Sequence, residues 1–544
     1  MTTPVVWRPG MDVTAGRLAA MAQAASLLVT NYGADGSGST DAAPGIQLAL
    51  NLARDLGGAQ VVVPPGVYLI GQTLRIYGNT RLSLMAGAEF RRNVAATMMI
   101  NGDAGQEFGG YSGHSGITVE GGLWNMRGAT SGLTASAMCM SFGHCSDIVV
   151  RDLEIRDVPG FHAVELNSTN HALITNCRFR GYRDPGGRDF SEAVQIDLAK
   201  SSAVFGGFGP YDNTESKDIA ITACHFGDSD TASTTAWPRG IGSHSATITK
   251  WHRRIRIANC SFENLLQFAI SAYNWEDTTI TGNTFVSCGS GVRIRTVILT
   301  DPEDTKDPAG NQTNASQNMR NITVSGNSFR AGGSYDNVIV AQGETSGTIL
   351  NLSIVGNTID GTTGNQSGIR LNRVSRATVS GNVVANVDNS GISTENQNNT
   401  VISGNVIWTP GDHGITMVAS DNSNIIGNQI RDPGDSGIFV NGPGTDIQIK
   451  SNFVDGANRN NSSSYGIRLS TTAVVGADIV GNKCRPGGSS TKAIRGLSIA
   501  AGNSGVHRCA NDMRGTWSGA GGQGIDDKST TPDKTATDIG GEAA

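Results

Sequence analysis

An all-β solenoid, wound from short stacked coils, is encoded by this chain of 544 residues. The first sign is a recurring phrase in which two strand-forming residues precede a small pair, a polar residue and an apolar one. It reads ITNCRF (174–179), ITACHF (221–226), IANCSF (257–262), ITGNTF (280–285) and VSGNSF (324–329), and runs on to IVGNKC (479–484). The second is its period. The fourth position falls at 327, 357, 382, 405, 428, 452 and 482, most often 23 to 25 residues apart, which is one coil of a parallel β-solenoid. The third is composition. There are 72 glycines without a three-residue period, which excludes collagen, and charged residues are only 16%, which excludes a coiled coil. An apolar share of 38% argues against a disordered chain.

A Gly-Asn turn suits left-handed backbone, which glycine adopts without strain and asparagine tolerates. Stacked coils bring the marker amides into one hydrogen-bonded column: Asn283, Asn327, Asn357, Asn382, Asn405, Asn428, Asn452 and Asn482, preceded by Cys177, Cys224 and Cys260. Upstream the pattern changes. Residues 11–29, rich in Ala and Leu, predict a helix within a short attachment segment (1–30), and a second helix over about 43–56 is expected to lid the first coil of the solenoid body (31–515). Residues 516–544, rich in Gly, Ser, Thr and Asp, read as a flexible tail.

Net charge is -6, so no global basic field would hold nucleic acid or an acidic membrane. The N-terminus MTTPVVWRPG has neither a basic nor an apolar leader region, and no apolar run of ~18 residues occurs. The 8 cysteines include no CxxC pair and read as reduced thiols. No His or Cys pair has zinc-ligand spacing, so no metal and no cofactor is expected.

The strings GADGSGSTDAAPGIQLAL (33–50) and GGAQVVVPPGVYLI (57–70), with the GN repeats, resemble the pectate-lyase-like right-handed parallel β-helix superfamily, which includes many phage tailspike depolymerases. The resemblance covers about residues 30–500 and implies a right-handed, single-stranded parallel β-helix. It also implies a saccharide groove on the outward face of the sheet that follows each Asn turn. Aligning HAVELN (162–167), EAVQID (192–197), RGIGSH (239–244), FAISAY (268–273) and SGVRIR (290–295) by their inward apolar residues gives two outward columns. One holds Glu165, Gln195, Gly242, Ser271 and Arg293; the next holds Asn167, Asp197, His244, Tyr273 and Arg295. Long insertions at 180–191, 199–217, 227–238 and 297–319 flank only these charged coils, as cleft-forming loops do.

The cluster is similar to the groove of polygalacturonase-like hydrolases, in which acids on successive coils are followed by a His and an Arg-x-Lys strand. It departs from that pattern at Glu165, at the single acid Asp197, at GIGSHS, and at Arg295 in place of Lys. The expectation is a polysaccharide depolymerase acting by glycosidic hydrolysis. Asp197 and Glu165 share the acid and base roles, and His244 tunes Asp197 or the leaving group. Arg293, Arg295, Tyr273, Trp275, Glu192, Asn167 and Gln195 bind substrate, Tyr273 and Trp275 as sugar platforms and Glu192 as a possible third acid. His162 and His171, without clustered partners, read as structural. The alternatives are a polysaccharide lyase, a teichoic-acid phosphodiesterase and a non-catalytic receptor-binding spike or adhesin. The resemblance further implies a homotrimer acting on a bacterial surface glycan, carried on a virion tail or baseplate through its N-terminus, or secreted.

Overall fold

The computed structural model describes residues 26–541 apart from 471, 472, 489, 531, 535 and 536. It is a parallel β-helix, built almost wholly of short parallel strands. The attachment helix expected within residues 11–29 lies largely outside the described residues. Of its described part, Leu27–Leu28 is a strand and Val29–Tyr32 a 3-10 turn. The capping helix, α1 (Ala43–Asp55), is present. Asp41 accepts the Ala43 N–H at its start (3.0 Å), and Ile46, Ala49, Leu50 and Ala53 form its buried stripe. Gly45 is there because a Cβ would meet the Ala34 nitrogen at 2.4 Å.

The chain divides into two compact units, Met1–Leu265 with Lys306–Thr313, and Leu266–Thr305 with Asn314–Ala544. In the first unit, in-register strands stack Phe179 on Phe226 and Phe226 on Phe262, with ring centroids 4.9 and 4.7 Å apart. The spacing is that of neighbouring strands, so each coil contributes one ring to a continuous buried stack. In the second unit an aliphatic column, Ile392, Ile415, Ile438, Ile467, Leu497 and Ile525, does the same work. Its last member lies in the segment read as a tail. Ile525–Asp527 pairs with Arg495–Ile499, so residues in 516–544 add a coil, because Ile525 supplies the inward apolar residue that the repeat phrase had hidden.

The asparagine ladder is present in the second unit. Asn357 Nδ2 donates to Asn382 Oδ1 (3.0 Å), Asn382 to Asn405 (2.9 Å) and Asn405 to Asn428 (2.9 Å). The left-handed residue is the one before the marker, as at Gly404 (φ 62°), and not the asparagine itself. The ladder also continues past Asn482 to Asn511 and ends on Asp538. In the first unit, Asn176, Ala223 and Asn259 hold the left-handed position before Cys177, Cys224 and Cys260. All eight cysteines are free, and these three are buried.

Candidate functional site

Four strands of the first unit position the site: β1 (Met140–Arg151), β2 (Val164–Thr175), β3 (Glu192–Asp197) and β4 (Arg239–Gly242). Their register aligns Ser141 with Glu165, Glu165 with Gln195, Gln195 with Gly242, and Asn167 with Asp197, as the alternation predicts. The outward face is nevertheless not an open groove. Glu165, Asn167, Gln195 and Asp197 are each at most 1% exposed, and the insertion after β3 folds back onto Gly143, in register with Asn167 and Asp197. Its Phe205 and Phe208 pack with Ile100 and Ala199, and Phe108 joins them. The Phe205 ring takes the place a side chain would fill at Gly143, where a Cβ would meet it at 2.2 Å. Ser168 Oγ accepts the Ala199 N–H (3.0 Å) and donates to the Thr214 carbonyl (2.7 Å), tying both ends of the loop to β2.

His244 does not stand in the Asp197 column as expected. β4 ends at Gly242, and the imidazole turns onto Glu192, with Nδ1 3.0 Å from Oε2 and Nε2 4.0 Å from Asp197 Oδ2. Glu192, expected at the strand mouth, is fully buried between His244 and Arg239, whose Nη1 lies 3.2 Å from Oε1. Burial opposes the charge on Glu192, but His244 and Arg239 outweigh it and hold its carboxyl well below the usual range. Burial likewise opposes the charge on His244, and the carboxylates of Glu192 and Asp197 reverse that, lifting it to about 9. His162, read from sequence as structural, belongs here too. Its ring stacks on His244 (centroids 5.7 Å apart), its Nδ1 donates to the Glu192 carbonyl (2.7 Å), and burial drops it to about 4, leaving it neutral.

The two acids sit in opposite surroundings. Glu165 accepts a hydrogen bond from Ser141 Oγ, while its Oε1 is buried without a protein partner among the described residues. Burial pushes its carboxyl up, Ser141 resists and the Asp197 charge adds, for a value of about 8. Asp197 is ringed by donors: Gln195 Nε2 at 2.7 Å and Ser245 N–H at 3.3 Å. His252 lies beside the carboxylate without a hydrogen bond to it. Its Nδ1 accepts the Ser216 N–H (3.3 Å), which leaves the proton on Nε2, 3.7 Å from Asp197 Oδ1. Glu165, favoured in its protonated form by burial, thus stands one coil from an Asp197 that accepts hydrogen bonds.

At the rim, His244 is a quarter exposed and meets Phe190 edge-on (6.1 Å), while the Arg188 guanidinium lies over Phe161 and Phe190 (4.9 and 4.7 Å). These half-buried rings, rather than Tyr273 and Trp275, are the aromatic surface of this unit's site. Glu192 over Arg239 was readable from the strand alignment. His252 and Phe190, on a later strand and an insertion, carried no repeat signal.

In the second unit, β5 (Phe268–Tyr273) and β6 (Ser290–Arg295) align Ser271 with Arg293 and Tyr273 with Arg295. Tyr273 is 3% exposed, and its hydroxyl donates to Asp304 and accepts the Ile298 N–H, so it anchors a loop and offers no face to a sugar. Trp275 is fully buried. Arg295 pairs with Glu344 and Arg293 lies over the Phe268 ring, 4.9 Å from its centre.

With this geometry in hand, the chain is a right-handed parallel β-helix. Residues 131–296 match the family model described as right handed beta helix region, and residues 300–488 match that of the periplasmic copper-binding protein NosD. The chain is 27% identical over 289 residues to the plasmin and fibronectin-binding protein A of Streptococcus pneumoniae, an alignment spanning 48% of this chain and 39% of that protein. Among solved structures, the S. pneumoniae surface protein and adhesin PfbA superposes with TM-score 0.57 at 20% identity, over 72% of this chain and 99% of that one. A Yersinia enterocolitica family 28 exopolygalacturonase gives 0.50 at 14%, over 78% of each chain. The tailspike protein of E. coli bacteriophage HK620, in complex with a pentasaccharide, gives 0.52 at 13%, over 82% of this chain and 78% of that one.

Proposed function

We propose that the chain is a polysaccharide-degrading β-helix that cleaves a glycosidic bond by hydrolysis. Glu165 delivers a proton to the leaving oxygen, Asp197 acts as the base, and Glu192 holds His244 charged at the rim. The observation that carries this reading is the contrast between Glu165, lifted to about 8, and Asp197, ringed by donors one coil on. Both acids are buried, so the surrounding segments must move for a glycan to reach them, which fits a site that excludes water during turnover. Incubation with a panel of bacterial capsular and wall polysaccharides tests it. New reducing ends support hydrolysis, an ultraviolet-absorbing unsaturated product supports a lyase, and released phosphomonoester ends support a teichoic-acid phosphodiesterase.

A second reading is a surface adhesin without turnover. It is favoured by the sequence likeness to a plasmin and fibronectin-binding protein and by the burial of both acids. Intact polymer after incubation, with binding retained in Asp197→Asn, would select it. The finer form of the first reading is a homotrimeric tailspike carried on a phage tail through its N-terminus, or a secreted enzyme. The tailspike likeness supports it at the level of fold, and light scattering reporting a 56.6 kDa monomer would remove the trimer. Copper has no role in this reading. Within 300–488, Asp412, His413 and Asp435 come together, but His413 Nδ1 accepts the Ser436 N–H, and hydroxyls of Ser436 and Ser462 occupy the Asp435 oxygens. One imidazole with two hard carboxylates, and no thiolate or thioether, does not fit a copper centre.

A further inference from the structure

The first unit carries a cavity of about 580 Å³ on its other sheet, where Ala88–Arg92, Leu123–Asn125 and Glu154–Pro159 lie side by side. Arg91, Asn125 and Arg156 face outward in register there, so the Cα atoms of the two arginines stand two coils, about 10 Å, apart. Each is clamped by the glutamate two residues before it. Arg91 Nε and Nη2 reach Glu89 at 2.8 and 2.7 Å, and Arg156 Nε reaches Glu154 at 2.8 Å. Nη1 of both is left without a protein partner among the described residues. Arg127, held with φ 52°, binds the Arg92 carbonyl and Asn93 Oδ1 through Nη1 alone (both 3.2 Å) and has no carboxylate partner among the described residues. The one acid of the lining, Asp157, has its oxygens taken by Ser229 and Thr231.

We propose that this cavity is a binding site for an acidic saccharide, separate from the acid/base couple. Arg127 and the spare Nη1 groups of Arg91 and Arg156 take its carboxylate or sulfate groups, and Asn93 Nδ2 and Thr130 take its hydroxyls, while Asn125, bonded to Glu89 and to the Arg127 N–H, holds the arginines in place. The lining has no aromatic ring on which a base could stack, which argues against a nucleic acid. Arg91 and Arg156, each with Nη1 unused beside its paired glutamate, sit on strands two coils apart, which suits a ligand with several anionic groups along its length better than a single inorganic ion.

Calorimetric titration of the Asp197→Asn chain, in which substrate is not consumed, tests the site. The probes are oligogalacturonate, hyaluronan and heparin fragments, with maltotetraose and inorganic phosphate as controls. At least one acidic fragment should bind, with affinity falling as salt rises, and maltotetraose should not. Arg127→Gln should weaken that binding tenfold or more. Asn93→Asp, at an exposed position, should weaken it similarly by adding a negative charge beside Arg127. Failure of all three acidic fragments to bind, an unchanged Kd in both variants, or equally tight binding of phosphate would overturn the proposal. Hydrolysis of polymer by the unmodified chain is a separate readout, so loss of one reading leaves the other standing.

Discussion

His244 Nδ1 lies 3.0 Å from Glu192 Oε2, closer than its Nε2 comes to Asp197 at 4.0 Å, and this ordering decides where the positive charge of the site sits. The histidine is lifted to about 9 chiefly by a fully buried carboxylate that itself never reaches the rim. Glu192→Gln should therefore return His244 toward an ordinary ~6.5, read from imidazole NMR shifts across pH. The sign for stability follows. A histidine raised when folded contributes stability fully present below ~6.5 and lost as pH rises through about 9. The wild-type melting temperature should fall over that window, and the Glu192→Gln variant should show a flatter profile. A profile unchanged by the substitution would contradict the pairing.

Glu165 behaves in the opposite way. Its carboxyl stays protonated to about 8 when folded and ionises near 4.5 when unfolded, so it costs stability increasingly as pH rises between those values. Glu165→Gln keeps the Ser141 contact and removes that cost. Its melting temperature at pH ~8 should exceed wild type by roughly 1–4 °C, while hydrolysis is lost. A lower melting temperature at that pH would mean that Glu165 is ionised in the fold.

Asp197→Asn keeps shape and removes only the ionisable group. Turnover on a cleaved polysaccharide should fall ~100-fold or more with circular dichroism unchanged. Full activity would return Asp197 to a purely structural role.

His252 is expected to act through Asp197 and not on substrate. His252→Gln should lower kcat with little change in KM, whereas a packing defect would lower the melting temperature. His252→Asn, too short to reach Asp197, should not share any partial activity that Gln retains.

Asn405→Leu should cost about 1–3 kcal/mol, read from chemical denaturation, because it strands the Asn382 N–H and the Val379 carbonyl inside the stack. An unchanged midpoint would show that the ladder carries no stability.

The coil repeat and the capping helix were legible because both are written in local periodicity: strand residues before Gly-Asn, and an apolar stripe after Pro44. The outward register of Glu165, Gln195 and Asn167 with Asp197 was legible for the same reason, since alternation along a strand fixes which side chains face out. What alternation could not give was what lies on top. Phe205 covers the column because Gly143, two strands away, leaves it room, a complementarity between distant residues with no sequence period. Tyr273 and Trp275 failed as sugar platforms by the same blindness, their rings being spent on a loop anchor and on packing. The last coil escaped notice because Asp538 replaces the marker asparagine there.

The repeating geometry of Asn382, Asn405 and Asn428 has a further consequence. The three are spaced 23 residues apart, and Asn405 and Asn428 each receive the predecessor's backbone N–H at 3.0 Å and side-chain amide at 2.9 Å. Excising residues 383–405 would hand Asn382 to Asn428 with donors and acceptors unchanged. Whole coils here are thus interchangeable modules, each removable or repeatable without breaking the column of amides.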